Sequence, residues 1–240
     1  MVGIPRYLVD KLANVGIKNI NELRTHGYLK VYKWIKDSYP SVGKRVLFDL
    51  YSISSALPIN SISKDCQKSI IAELKQMLPT YIPLDTELIK KNLFKAEEQA
   101  KIAGNYEEVP IGAIITYKKN TIIGVGYNQT LSKCDIISHA EIIAIQEAQK
   151  YLGSYRLTDC DLYVTIEPCL MCAGAIIQSR IRRVIFGATE PKTGAIISQY
   201  SAFTNKRVNH YTETIGPFDN EYYAQLLSKF FINKRREIKT

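Results

Sequence analysis

The sequence predicts an α/β domain, a sheet covered by helices, preceded by a small all-α domain. Three observations predict this division. Residues 1–78 read as a series of short helices, with apolar side chains recurring at helical spacing. The stretch Leu78-Pro79-Thr80-Tyr81-Ile82-Pro83 then sets two prolines close together, as a linker does. Beyond it the patterns run hairpin, helix, strand, helix, strand, the order expected of a helix-covered sheet. The implied boundaries are a helical domain at 1–78, a linker at 79–84 and the α/β domain at 85–240.

Leu8, Leu12 and Val15 share one helical face, and Gly16 permits a tight exit. Asn19 or Asn21 can cap a second helix through Ile20, Leu23 and Arg24, which Gly27 ends. Tyr32, Trp34, Ile35 and Tyr39 mark a third helix, stopped by Pro40, and Val46 to Leu57 and Lys68 to Met77 give two more. In the second domain Asp85 is a good N-cap, with Glu87 in the first turn. Leu88, Asn92, Leu93, Ala96, Ala100 and Ala103 form one face of that helix, and Gly104 ends it. Val109 to Tyr117 and Thr121 to Tyr127 are strand-like and joined by Lys118-Lys119-Asn120 as a hairpin. A polar loop, Asn128 to Ile137, leads into a buried helix that begins at His139 and ends near Gly153. Asp161 to Ile166 is a strand feeding a helix opened by Pro168, and Arg183 to Gly187 is a further strand. A helix from Glu221 through Leu226, Leu227, Phe230 and Phe231 runs into a basic tail.

The chemistry is concentrated between His139 and Cys172. This segment opens with His139-Ala140-Glu141 and closes with Glu167-Pro168-Cys169-Leu170-Met171-Cys172, together matching the H-x-E…P-C-x-x-C signature of zinc deaminases. Zinc prefers thiolate and imidazole, and a catalytic site uses three such ligands and leaves the fourth position to water. Cys169 and Cys172 are three apart, so on one helical turn they lie on the same face. Pro168 suits the start of that helix, and the positive helix end favours thiolate over thiol. Glu141 follows His139 too closely to share its helical face as a second ligand, and is better placed as a proton carrier. The candidate assignment is His139, Cys169 and Cys172 on a metal, with Glu141 in catalysis. A closed structural zinc site is the competing reading of the cysteine pair. Its fourth ligand would be Cys66, Cys134, Cys160, His26 or His210, of which Cys134 is nearest to His139 in sequence.

At 240 residues and 46% hydrophobic, the chain is long enough for one large or two modest domains. Its five cysteines form no evenly spaced framework, which suits a reducing compartment. The opening MVGIPRYLVDKLANVGI carries Arg6, Asp10 and Lys11 across any apolar core, so it reads as neither signal peptide nor membrane span. The expected location is the cytoplasm, with no membrane partner. The net charge of +9 is unevenly spread: residues 1–80 carry 12 basic against 6 acidic side chains, and residues 81–240 carry 20 against 17. Lys234, Arg235, Arg236 and Lys239 supply the excess at the tail. Such a surface invites phosphate partners, although solvated lysines give the same composition.

Several longer phrases narrow the reading. VPIGAII (Val109–Ile115), YNQT (Tyr127–Thr130), DLYVTIEPCLMCAGAIIQSRI (Asp161–Ile181) and FGATEPKTGA (Phe186–Ala195) closely resemble the bacterial tRNA-specific adenosine deaminases, the TadA family. The likeness covers residues 85–240. It implies a cytidine deaminase-like three-layer αβα sandwich around a mixed sheet, one Zn2+ per subunit and a homodimer. It also implies conversion of adenosine to inosine at the wobble position of a tRNA anticodon, chiefly the arginine tRNA with anticodon ACG. The resemblance gives His139, Cys169 and Cys172 the ligand roles and Glu141 that of proton shuttle. Asn128 corresponds to the residue that contacts the flipped base, and Ala140 to one that offers a backbone group. Lys192, Thr193, Ser198, Asn209 and His210 fall where the family meets the anticodon loop. From the residues alone, Asn128 equally satisfies the turn after a strand, and the basic tail equally serves as a charged helix end. Glu190 stands where the family usually has Asp, and Ile197 precedes Ser198 where Gly is common; both lie in the substrate-facing loop.

The first 78 residues resemble the helix-hairpin-helix-like C-terminal domain of the TfoX family, through hydrophobic spacing and phrases such as VGIKNINELR. That resemblance names no definite partner. Two other functions compete with tRNA deamination: a free-nucleobase deaminase acting on guanine or cytosine, and a non-catalytic RNA-binding scaffold.

Overall fold

A computed structural model describes residues 4–118, 120–204 and 210–237, the last of these without the side chains of 233 and 235–237. The chain forms two compact units, Met1–Pro83 and Leu84–Thr240.

The first unit is helical: α1 (Arg6–Asn14), α2 (Ile20–His26), α3 (Tyr28–Ser38), α4 (Lys44–Ser55), a short 3-10 turn and α5 (Lys64–Gln76). Leu8, Leu12, Leu23, Ile35, Leu47 and Leu50 are fully buried and form its core. Of the two asparagines offered by the sequence, Asn19 is the cap of α2, its side chain accepting the Glu22 N–H at 2.9 Å. Helix α5 starts four residues before the expected Lys68, because Ser63 caps it by accepting the Cys66 N–H at 3.2 Å. The proline-bearing stretch is tied to this unit. Lys33 Nζ donates to the carbonyls of Met77 and Leu78 at 2.7 and 2.8 Å, and Trp34 Nε1 donates to Thr80 Oγ1 at 3.2 Å.

The second unit runs α6 (Thr86–Asn105), β1 (Gly112–Tyr117), β2 (Thr121–Tyr127), α7 (Ala140–Leu152), β3 (Cys160–Ile166), α8 (Leu170–Gln178), β4 (Arg183–Ala188), β5 (Glu213–Ile215) and α9 (Asn220–Glu237). Asp85 caps α6 through the Glu87 N–H. The strands form one mixed sheet in the order β2-β1-β3-β4-β5. β1 is antiparallel to β2 and β3, whereas β3, β4 and β5 run parallel. Side chains alternate across this sheet with the period of a strand. Leu162, Val164, Val184 and Phe186 pack with α7 and α8, while Tyr163 and Ile185 pack with α6 and α9. The result is the three-layer αβα sandwich around a mixed sheet that the sequence leads one to expect. Strand β5 is an addition. It is three residues long and has no apolar run, and it pairs with β4 beside a charged network. Buried Arg183 donates to Glu213 at 2.8 Å and pairs with Asp161 at 3.4 Å, and Arg182 also reaches Asp161, at 2.7 Å.

Two contacts set the position of α7. On β2, a Cβ added at Gly126 would overlap the Ala140 carbonyl oxygen and approach the Ala144 nitrogen to 2.7 Å. One added at Gly124 would overlap the Ala144 carbonyl oxygen. The helix backbone therefore lies directly on the strand, which only glycine permits. The loop between β2 and α7 is pinned by Glu108, which is fully buried. Its carboxylate accepts from Leu131 N (3.1 Å), Thr130 Oγ1 (3.2 Å), Ser132 N (2.7 Å) and Ser132 Oγ (2.9 Å). Burial acts to raise this carboxyl, but the Ser132, Leu131 and Thr130 donors outweigh it and hold it below its ordinary 4.5.

Two outcomes are expected. Gly126→Ala should lower stability by about 2–3 kcal/mol, read as a reduced urea midpoint with unchanged slope. A carboxyl lowered in the folded state adds stability above its unfolded value and loses it as pH falls. Glu108→Gln should therefore cost about 2 kcal/mol at neutral pH, with the gap to wild type closing as the medium is acidified through the carboxylate range. Equal midpoints at neutral pH would show that Glu108 adds nothing.

Candidate active site

The sheet delivers the site from two neighbouring crossovers. Strand β2 ends at Tyr127, and Asn128 opens the pinned loop that leads to His139, the N-cap of α7. Strand β3 runs through Glu167 and Pro168 to Cys169, the N-cap of α8. Pro168 thus stands one residue outside the helix it was expected to open, since Cys169 takes the cap. Cys172 follows in the first turn, so both helix N-termini face one point.

There His139 Nδ1 lies 3.7 Å from Cys169 Sγ and 3.5 Å from Cys172 Sγ, and all three atoms fall within 4.8 Å of one another. Cys172 is buried, and His139 and Cys169 are half-buried. The Cys169 thiol is drawn down to about 4, chiefly by a hydrogen bond from Cys172 and then by one from His139, against the effect of burial. The Cys172 thiol is pushed up by that same bond and by burial, so the pair holds one thiolate readily. The His139 ring is raised by its bond to Cys169, opposed by burial.

This donor set fits zinc. A tetrahedral ion about 2.3 Å from sulfur and about 2.1 Å from nitrogen separates such ligands by roughly 3.6 Å, and the two nitrogen–sulfur distances lie on either side of that value. Among the described residues no fourth side chain joins the group. The candidates for a closed site are engaged elsewhere. Cys134 is exposed with its sulfur 3.7 Å from the Leu131 carbonyl, Cys160 is buried at the start of β3, and His210 Nε2 lies 2.9 Å from the Ile181 carbonyl. Cys66 meets the Tyr51 hydroxyl and His26 packs edge-on to Trp34, both inside the helical unit. Glu141, in the first turn of α7, is buried, hydrogen-bonded to Cys172 and raised above the usual carboxylate range, first by that burial.

Around the donors, Asn128 is buried and its Oδ1 accepts the Ala140 N–H at 3.1 Å. The backbone group expected to serve a substrate is therefore what orients the Asn128 amide. Lys192 and Thr193 are exposed on the loop after β4, and the same loop brings Ser198 beside Glu167, to which its hydroxyl donates. His210 stands apart from these. It binds the Ile181 carbonyl ahead of β4, whereas the donor cluster follows the other end of the parallel strands. Asn209 lies outside the described residues. Sequence reasoning missed Glu108 and Glu167 as organisers of the two loops at the site. Glu167 sits in the motif, but its partners are 23–31 residues away and no local pattern points to them.

Comparison with known proteins agrees with this geometry. The family model for MafB19-like deaminases matches residues 89–236. The tRNA-specific adenosine deaminase of Haemophilus influenzae is 42% identical over 154 residues, 64% of this chain and 89% of that protein. The tRNA-specific adenosine deaminase of Bacillus subtilis is 39% identical over 153 residues, 64% of this chain and 92% of its own. A solved structure from a study of A-to-I editing by tRNA deaminases at the wobble position is 38% identical, with a TM-score of 0.55, and covers 57% of this chain and 99% of its own. The guanine deaminase from Nitrosomonas europaea is 19% identical with a TM-score of 0.50, over 65% of this chain and 98% of its own, a likeness of fold alone. With the family model matched over most of the second unit and two relatives covered nearly whole, this chain belongs to the MafB19-like deaminase family, among the tRNA-specific adenosine deaminases.

Proposed function

We propose that the chain hydrolyses adenosine to inosine and ammonia at the wobble position of a tRNA anticodon, the arginine tRNA with anticodon ACG being its substrate. The observation that carries this reading is a buried carboxyl, Glu141, beside three soft donors at two helix N-termini. His139 Nδ1 and the sulfurs of Cys169 and Cys172 would hold one zinc ion per subunit. When bound, zinc supplies a Lewis acid and a water that is nucleophilic at neutral pH. Glu141 takes the proton this water loses on attacking C6 and gives it to N1 of the purine. It then carries the remaining proton of the hydroxyl added at C6 to the departing amine as the C6 carbonyl forms, so adenosine and water become inosine and ammonia. Burial raises its carboxyl, the direction that suits a group that must accept a proton. Asn128, its amide oriented by the Ala140 N–H, holds the base once it has left its stack. That departure costs a few kcal/mol, less in a loop than in a duplex. Lys192 and Thr193 meet the anticodon loop from the surface.

No helix among the described residues is long and apolar enough to cross a membrane. The proposed setting is a cytoplasmic homodimer. The basic helical unit serves phosphate contact, protein binding or stabilisation; only the first would make deletion of residues 1–80 lower tRNA affinity and its salt dependence.

Glu141→Gln should keep about one zinc per chain while kcat on an ACG stem-loop falls by about 10²- to 10⁴-fold. Metal content and inosine release from the same preparation check both halves, and a variant with near-wild-type turnover would remove Glu141 from the mechanism. Cys172→Ser should lose both zinc and turnover. Parallel assays with free guanine and cytosine separate the alternatives: deamination of a free base with the stem-loop untouched would replace tRNA as the substrate. A folded wild-type chain that holds no zinc would favour a non-catalytic scaffold.

A further inference from the structure

The glutamate two residues before the cysteine pair is nearly as buried as the core. Glu167 is 1% exposed, yet its carboxylate faces a surface loop. One oxygen accepts the N–H groups of Ile196 (2.8 Å), Ile197 (2.7 Å) and Ser198 (3.1 Å); the other accepts the Glu190 N–H (3.1 Å) and the Ser198 hydroxyl. The donors come from both ends of one turn, residues 190 and 196–198, so a single carboxylate closes it. Inside the turn a Cβ added at Gly194 would overlap the Glu167 carboxylate, so glycine is what lets the loop fold over it. The backbone continues the closure, with Ala195 N donating to Pro168 O at 2.8 Å and Cys169 bridging Gly194. What the turn presents outward is Lys192, Thr193 and Ile197, all exposed.

We propose that Glu167 is a positioning residue that fixes the 190–198 loop in its RNA-gripping shape, and that it serves substrate binding rather than the chemical step. The inference rests on the tRNA deaminase reading above. A carboxylate matched to several converging N–H groups is satisfied by one loop curvature only. Glutamine keeps the size but turns one acceptor oxygen into a donor facing other donors. The loop side chains then sample many arrangements, and binding pays to order them.

The test uses the zinc-loaded full chain. In Glu167→Gln, amide hydrogen exchange at residues 190–198 should rise at least about tenfold while α7 and α8 exchange as in wild type. KM for the ACG stem-loop should rise about tenfold, kcat should stay within about threefold, and zinc should remain near one per chain. Glu167→Asp, which keeps the charge, should recover part of both effects and stands in if the glutamine variant fails to fold. Unchanged loop exchange, exchange raised uniformly across the unit, or a fall in kcat at constant KM would each overturn the proposal. A wild-type chain inactive on the stem-loop would instead overturn the tRNA reading, and loop exchange alone would then decide whether Glu167 shapes the loop.

Discussion

Helix α7 rests on strand β2 so closely that the carbonyl oxygens of Ala140 and Ala144 fill the space side chains would need at Gly126 and Gly124. His139 and Glu141 stand at the start of that helix, so their placement relative to the sheet is a matter of backbone contact. Backbone contact leaves no rotamers to absorb an error. Cys169 and Cys172 are placed by the neighbouring crossover, where central β3, buried along its whole length, leads directly into α8. The donors meet because two rigid helix starts are aimed at one point from strands that flank β1, β2 on one side and β3 on the other. Both bring a positive helix end, which favours the thiolate that a metal requires.

Buried acids in this unit are stabilised in two ways. At the β4–β5 edge buried Asp161 and half-buried Glu213 are paired with Arg182 and Arg183, a charged network that ties a three-residue strand to the sheet. Nearer the site, Glu108 and Glu167 take N–H and hydroxyl donors from the loops they organise. Each carboxylate fixes the shape of a segment that has no secondary structure of its own. The β2–α7 loop and the loop after β4 thus have defined walls on their inner side and exposed side chains on the outer.

Most of the architecture was legible because its signals are local. Helical spacing gave α1 to α4, α6 and α9, two strand-like runs around Lys118-Lys119-Asn120 gave the hairpin, and the two-part motif named the three donors that the fold brings within 4.8 Å. What escaped had no local signal. Glu213-Thr214-Ile215 is a strand through its pairing with β4, beside buried Arg183, thirty residues away in sequence. Ser63 starts α5 before the apolar pattern begins. The tasks of Glu108 and Glu167 depend on amides more than twenty residues away. His210 shows the converse: its resemblance points to the RNA surface, while its ring sits on the Ile181 carbonyl, ahead of β4.

The neutral partners of Glu108 and Glu167 separate two properties that a charged design would have linked. Screening by dissolved ions weakens exposed charge–charge attraction, and the proposed contact of an RNA phosphate with Lys192 would be attraction of that kind. Buried hydrogen bonds from peptide N–H groups are largely shielded from it. Under the proposed function the protein would relax its hold on a polyanion as ionic strength rises while the framework around the site keeps its form. Release would then be a change of affinity and not a change of shape.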